Sequence, residues 1–336
     1  MRRCCSVRGG CRRGPIGGPA GRRVHDKSKA SKFISEDVIS TLPDNVITNI
    51  LDHLPIQNAV GTSMLSKNWR FKWTTMLSQL VFDEDFFENL AESYHGRIII
   101  SRILLLHKHA ITKFSINIED EDYFEDIGNW VMFLSQKGIE EFALRNASAE
   151  VLILPTHLFS CQKLKHLRLE DCCFPLVSGS YGFPNLLSLK LFLVRDAGDK
   201  CGEFLKQSPL LEILEITGNS LEGLSILQLL GLFPKLRELT LDSSMCKVER
   251  MEDFSSGALP SSGVHPSIAG QLQLQKVVFK NLQDTENELR VITAILTCFP
   301  LLKKMDVFFE AHLEESNKFS KLQQAYPKVK IVLHED

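Results

Sequence analysis

The stretch LKHLRLE at residues 164–170 returns as LLSLKLF at 186–192, LEILEIT at 211–217 and LRELTLD at 236–242. In each, apolar side chains stand at the first, fourth and sixth places. One polar residue separates the last two, the period-two pattern of a strand that buries one face. The spacing extends both ways along the chain. Ile111/Phe114/Ile116 and Ile139/Phe142/Leu144 precede these four units, and Leu274/Val277/Phe279 and Leu302/Met305/Val307 follow them. Successive starts lie 28, 25, 22, 25, 25, 38 and 28 residues apart. A second mark runs in phase: Phe183-Pro184-Asn185-Leu186, Phe233-Pro234-Lys235-Leu236 and Phe299-Pro300-Leu301-Leu302 each lead into a unit.

Most of these spacings fall in the range of roughly 20–29 residues that marks leucine-rich repeats. One unit cannot bury its apolar face, but stacked neighbours can. The predicted fold is therefore α/β, a short helical block followed by an irregular leucine-rich-repeat solenoid with parallel strands on its inner face. Return helices are expected at 202–207, 224–232 and 289–298. Asn146, Cys172, Asn219 and Asn281 stand where they can cap the turn after a strand. The widest spacing holds SSGALPSSGVHPSI at 255–268, a Ser/Gly/Pro-rich run that reads as a flexible loop.

Residues 37–77 follow another rule. Val46, Ile47, Ile50, Leu51 and Leu54 form one helical stripe. Pro43 suits a helix start, and Asp44 adds negative charge at the positive end of the dipole. Pro55 disfavours helix in the residue before it. A second helix is expected over 56–64. Ser66 reads as the N-cap of a third, with Trp69 and Trp73 one turn apart. So small a block buries little core alone. Its stripe is covered either by the rest of the chain or by a partner, and the pattern leaves both open. Residues 82–100 are expected to bridge this block to the solenoid and cover its open end.

The 336 residues carry a formal charge of −2, unevenly spread. Residues 1–32 hold ten cations against one acid, Asp26, so the remainder carries about −11. An acidic body argues against general nucleic-acid binding. The Gly-, Pro- and Arg-rich start has no hydrophobic period and reads as a disordered tail, with a transit peptide or a nuclear-import patch as its functional alternatives. No apolar run is long enough for a membrane-spanning helix, and no secretory leader is expected. The nine cysteines lack zinc spacing and read as reduced thiols. No phosphate loop or nucleophile elbow stands out, so neither a cofactor nor catalysis is expected. The acidic run at 119–126 reads as a solvated loop.

DVISTLPD at 37–44, Leu54-Pro55 and TSMLSKNWRFKW at 62–73 together resemble the F-box of the plant F-box/FBD/leucine-rich-repeat family. Residues 274–279, 287–305 and 319–332 resemble its FBD segment. Asn68 stands where that family usually has a basic residue, and Met64 where a β-branched one is common. The resemblance divides the chain into a basic tail (1–34), an F-box (35–80), repeats (81–270) and an FBD-like segment continuing the solenoid (271–336). It implies a non-enzymatic substrate-recognition subunit of an SCF-type ubiquitin ligase. The F-box would dock a Skp-type adaptor and through it a cullin, and the repeats would hold an unidentified target protein, in the nucleus or the cytoplasm. A repeat scaffold without ubiquitin output is the alternative. Leu42 and Pro43 would insert at the adaptor surface, and Ile47, Ile50, Leu51, Leu54 and Pro55 would supply further contact or core. Leu65, Ser66, Trp69 and Trp73 would complete the helical wedge. Packing arguments point Ile50 and Trp69 inward, and Leu42, Pro43 and Pro55 outward.

Overall fold

The computed structural model describes residues 38–90, 95–175, 182–196, 201–218, 230–243, 273–283, 286–309 and 316–335. The expectations for the basic tail, the loop at 255–268, Asn219 and most of the return helix at 224–232 lie outside these residues. Up to Thr41 the chain forms one unit, in which a 3-10 turn, Val38–Thr41, is described.

From Leu42 the chain is a second unit. It opens with α1 (Asp44–Asp52), α2 (Ile56–Gly61), a 3-10 turn (Thr62–Met64) and α3 (Lys72–Met76). Then come β1 (Gln79–Phe82), α4 (Glu84–Glu88), α5 (Gly96–Leu106), β2 (Lys113–Ile118), α6 (Phe124–Lys137), β3 (Glu141–Asn146) and β4 (Leu152–Ile153). These are followed by β5 (His166–Glu170), β6 (Cys172–Phe174), β7 (Ser188–Phe192), β8 (Arg195–Asp196), α7 (Cys201–Lys206), β9 (Ile213–Thr217) and β10 (Glu238–Asp242). The chain closes with β11 (Lys276–Leu282), α8 (Glu286–Cys298), β12 (Lys304–Phe309), α9 (Ser316–Ala325) and β13 (Lys330–Glu335).

The predicted α/β architecture is present. One parallel sheet runs β1-β2-β3-β5-β7-β9-β10-β11-β12-β13, and β4-β6-β8 form a small second sheet. The repeat register predicts the pairing directly. Phe114, Phe142, Leu167, Leu189, Leu214, Leu239, Val277 and Met305 stand side by side across eight strands. No member of the eight predicted triplets is more than 3% exposed, so the spacing marks core positions throughout.

The in-phase prolines make turns. Leu186, Leu236 and Leu302 each donate an N–H to the carbonyl of the Phe three residues earlier, at 3.1–3.2 Å. Proline at the second place of such a turn presets φ and removes no needed donor. The residue after each turn then bonds to the preceding unit. Thr112, Glu140, Lys165, Leu187, Glu212, Arg237, Gln275, Lys303 and Lys330 each donate to the equivalent residue one unit earlier, a row that begins at Ser78 O and never breaks. The wide spacing before Leu274 leaves it intact.

Three features differ from expectation. A ninth triplet, Leu77/Leu80/Phe82, is fully buried, its last two members in β1, so the sheet starts two residues before the domain boundary drawn from the sequence. The acidic run is no loop: Glu121–Tyr123 form a 3-10 turn, and Glu125 and Asp126 begin α6, where the dipole favours acids. Helix α6 itself was not predicted, although Ile127, Trp130, Val131 and Leu134 make a regular apolar stripe and Gly138 ends it in the left-handed region at φ 79°. Of the expected turn caps, Asn146 is buried and donates to Glu150 O and Asp171 O while its Oδ1 accepts from Ser148. Cys172 is also buried, and its thiol bonds Glu170 O. Asn281 takes a left-handed φ of 54°.

Candidate functional site

Helix α1 starts immediately after Pro43, whose carbonyl accepts from Val46 N and Ile47 N at 3.0 and 3.1 Å. Its predicted stripe splits into two rows. Ile47 and Leu51 are fully buried, with Leu54 half-buried against the core. Val46 and Ile50 form the outer row, each 38% exposed. Ile50, expected inward, faces outward. The stripe is wider than the contact available to so small a core, which takes the Ile47–Leu51 edge and leaves the next row uncovered.

Both tryptophans are buried, Trp69 as expected, but not on one helix. Residues 66–71 form consecutive turns, Trp69 N bonding Ser66 O and Lys72 N bonding Trp69 O, each at 3.2 Å. The third helix begins at Lys72, so Ser66 is not its N-cap. The turns carry Trp69 into the core in place of a first helical turn. Ser66 Oγ and Trp69 Nε1 are buried without hydrogen-bond partners among the described residues.

Pro43 and Pro55 face outward as expected. Leu42, also expected outward, is half-buried against the core, because the chain turns inward ahead of α1. The most exposed apolar side chains of the block are Met64, Leu65 and Phe71, at 91%, 63% and 65%. Only Leu65 was among the sequence candidates. Met64 was visible only as the residue standing where the family commonly has a β-branched one. Phe71 was hidden by the expectation of a continuous third helix.

The block is tied firmly to the sheet. Asp52, at the end of α1, accepts from Ser78 N and Ser78 Oγ, both at 2.8 Å, immediately before β1. Lys108 N, after α5, donates to Thr74 O at 2.8 Å. An ion pair at 3.8 Å joins Asp44 of α1 to Lys72 of α3, but Asp44 is largely exposed and the pair contributes little. The exposed apolar side chains therefore sit on a braced scaffold.

The buried thiols and the metal-ligating side chains of the described residues offer no second site. Burial pushes the Cys161 and Cys172 thiols up to about 12, far from nucleophilic thiolate. No three His, Cys, Asp or Glu side chains among those residues converge as metal ligands.

The helical block and the repeats each match a known family model. The F-box domain model matches residues 39–78. A second model, described as FBD-associated F-box protein At5g56370, LRR repeats, matches residues 127–255. Among curated proteins of Arabidopsis thaliana, F-box/FBD/LRR-repeat protein At1g13570 is 38% identical over 190 residues, which are 54% of this chain and 44% of that protein. F-box/FBD/LRR-repeat protein At5g56420 is 34% identical over 169 residues, 49% of this chain and 39% of that protein. FBD-associated F-box protein At5g56370 is 30% identical over 194 residues, 54% and 43% respectively. The chain matches less than half the length of each of these relatives. It carries an F-box followed by leucine-rich repeats, and the resemblance to plant F-box/FBD/LRR-repeat proteins drawn from its sequence stands.

Proposed function

We infer that this chain is the target-recognition subunit of a cullin–RING ubiquitin ligase. Its F-box docks a Skp-type adaptor, and its repeat sheet holds the protein to be marked. The supporting observation is the trio Met64, Leu65 and Phe71, left outside a core that is already closed around Ile47, Leu51, Trp69 and Trp73. Exposed apolar patches mark protein interfaces, and Met and aromatic residues are enriched at interface centres, so this reading takes the three, close together in sequence, as one surface. Val46 and Ile50 of α1, with Pro43 before that helix and Pro55 after it, are further exposed apolar side chains of the block.

Ile47, Leu51, Trp69 and Trp73 support the surface from beneath rather than touching the adaptor. Residues 271–336 are assigned to the FBD segment, whose strands β11, β12 and β13 lengthen the sheet available to a target. The chain supplies no reacting group in this scheme. It raises the local concentration of a target lysine beside activated ubiquitin. The site of action is the nucleus or the cytoplasm.

Gel filtration of the full chain with purified Skp-type adaptor and cullin tests this reading. A single complex containing all three is expected, and it should be lost when Ile50 and Phe71 are both replaced by Asp. A chain that binds target protein but never co-elutes with cullin would instead be a repeat scaffold without ubiquitin output.

A further inference from the structure

The sheet face opposite the core carries a patch of unusual composition. In register across β3, β5 and β7 stand Arg145, Glu170 and Phe192; one rung away, Arg168, Lys190 and Glu215 align across β5, β7 and β9. Lys280 of β11 reaches over from the far side. Two carboxylates are each shared by two cations. Glu170 bonds Arg145 Nε at 3.2 Å and Arg168 Nη2 at 3.4 Å. Glu215 bonds Lys190 Nζ at 3.1 Å and Lys280 Nζ at 2.8 Å. Burial pushes the Glu215 carboxyl up, but both lysines outweigh it and hold it below the usual carboxylate range. A third acid, Glu84 of α4, meets Arg145 Nη1 at the rim.

Phe192 lies half-buried in this setting, with the Arg168 guanidinium carbon 4.3 Å and Lys280 Nζ 5.9 Å from its ring centroid. The four cations remain 37–49% exposed, whereas the two shared glutamates are only 24% and 13% exposed. Apart from the rim acid Glu84, which is 61% exposed, solvent therefore meets positive charge around an aromatic face, on a chain whose body is otherwise acidic.

We propose that this patch receives an extended, carboxylate-rich segment of the target protein. Carboxylates pair with Arg145, Arg168, Lys190 and Lys280, and one apolar side chain of the segment lies on Phe192. Guanidinium forks bind carboxylates in bidentate fashion, and ion pairs this exposed are weak enough to exchange partners. A dianionic phosphate fits less well, because Glu170 and Glu215 inside the patch repel its double charge more strongly than the single charge of a carboxylate. The proposal rests on the reading of the sheet as the target-holding surface.

Fluorescence anisotropy with the full chain tests it. The probe is a labelled Glu-rich peptide of about twelve residues containing one Tyr, compared with its Gln counterpart and with a version carrying phosphoserine in place of Glu. The Glu peptide should bind about tenfold or more tightly than the Gln peptide, and its affinity should fall as salt is raised. The double variant R168Q/K280Q, and separately Phe192→Ser, should each lose about tenfold in affinity while keeping the melting temperature of the parent. Equal binding of the Gln peptide, indifference to these substitutions, or binding of the phosphorylated peptide alone would overturn the proposal. Adaptor capture by the same preparations separates the two readings. Capture without peptide discrimination removes this proposal alone, and peptide discrimination without capture removes the ligase assignment alone.

Discussion

His107 is a residue whose burial gives the protein a pH signature. It is 2% exposed, and among the described residues neither ring nitrogen makes a hydrogen bond of good geometry, although the Ala110 and Leu77 backbone close by favours the charged form. Burial first, then Lys137 and His109, push it down to about 4 from an ordinary 6.5. The unfolded chain thus takes up a proton near pH 6.5 that the folded chain refuses. Stability is whole above that value and declines as pH falls from 6.5 to about 4. The loss should reach about 2 kcal/mol after allowance for partial solvent screening. Thermal denaturation across this window should show the decline, and His107→Leu should flatten it; an unchanged profile would contradict the assignment. The two rows of α1 make a sharper residue-scale contrast. Ile47→Ala should destabilise by about 2–4 kcal/mol, whereas Ile50→Ala should change stability by under about 1 kcal/mol and weaken adaptor binding. Hydrophobic periodicity brings both into one stripe. It cannot tell them apart, because which row is covered depends on where Trp69 and Trp73 land, and a turn that periodicity does not see sets that.

At the scale of elements, the repeats share a device that only coordinates reveal. Glu170, Phe192 and Thr217 pair across β5, β7 and β9, so the residues that follow occupy equivalent places. All three, Asp171, Leu193 and Gly218, have positive φ, at 53°, 52° and 75°. Asp171 N then bonds Phe192 O and Leu193 N bonds Thr217 O, both at 2.9 Å, so the left-handed step keeps the stack hydrogen-bonded. Gly218 serves this position at no steric cost, and a Cβ there would collide with the Leu193 side chain. Leu193 pays the left-handed penalty and is still 52% exposed. Leu193→Gly should therefore leave stability unchanged or raise it by up to about 1 kcal/mol, and Gly218→Ala should lower it by about 1–3 kcal/mol. Melting temperatures of the two variants decide this, and opposite signs would contradict it. The strands themselves were legible because every repeat position is filled by a large apolar residue. The turn was not, because Leu at the middle position hides a conformation that Asp and Gly advertise on either side. The first strand escaped notice for a related reason: Leu77, Leu80 and Phe82 satisfy the repeat but lie directly against the helical block, where they read as its end.

For the unit beginning at Leu42, the joint between helical block and sheet is the decisive feature. β1 is both the exit of the block and the first strand, Asp52 bonds the residue before it, and the hydrogen-bonded row begins at Ser78. Block and sheet should then unfold together. Asp52→Ala removes two bonds and leaves a half-buried N–H unsatisfied, which should lower stability by about 1–3 kcal/mol in one transition. Two separated transitions in calorimetry would contradict a single cooperative unit. Met64, Leu65 and Phe71 are exposed on this braced block, and the functional reading depends on it. The most direct test is isothermal titration of purified Skp-type adaptor into the full chain and into a Met64→Ser/Phe71→Ser variant. The account predicts tight one-to-one binding by the parent and a loss of about 3 kcal/mol or more, over a hundredfold, in the variant at unchanged melting temperature. Equal affinity of the two chains would contradict it.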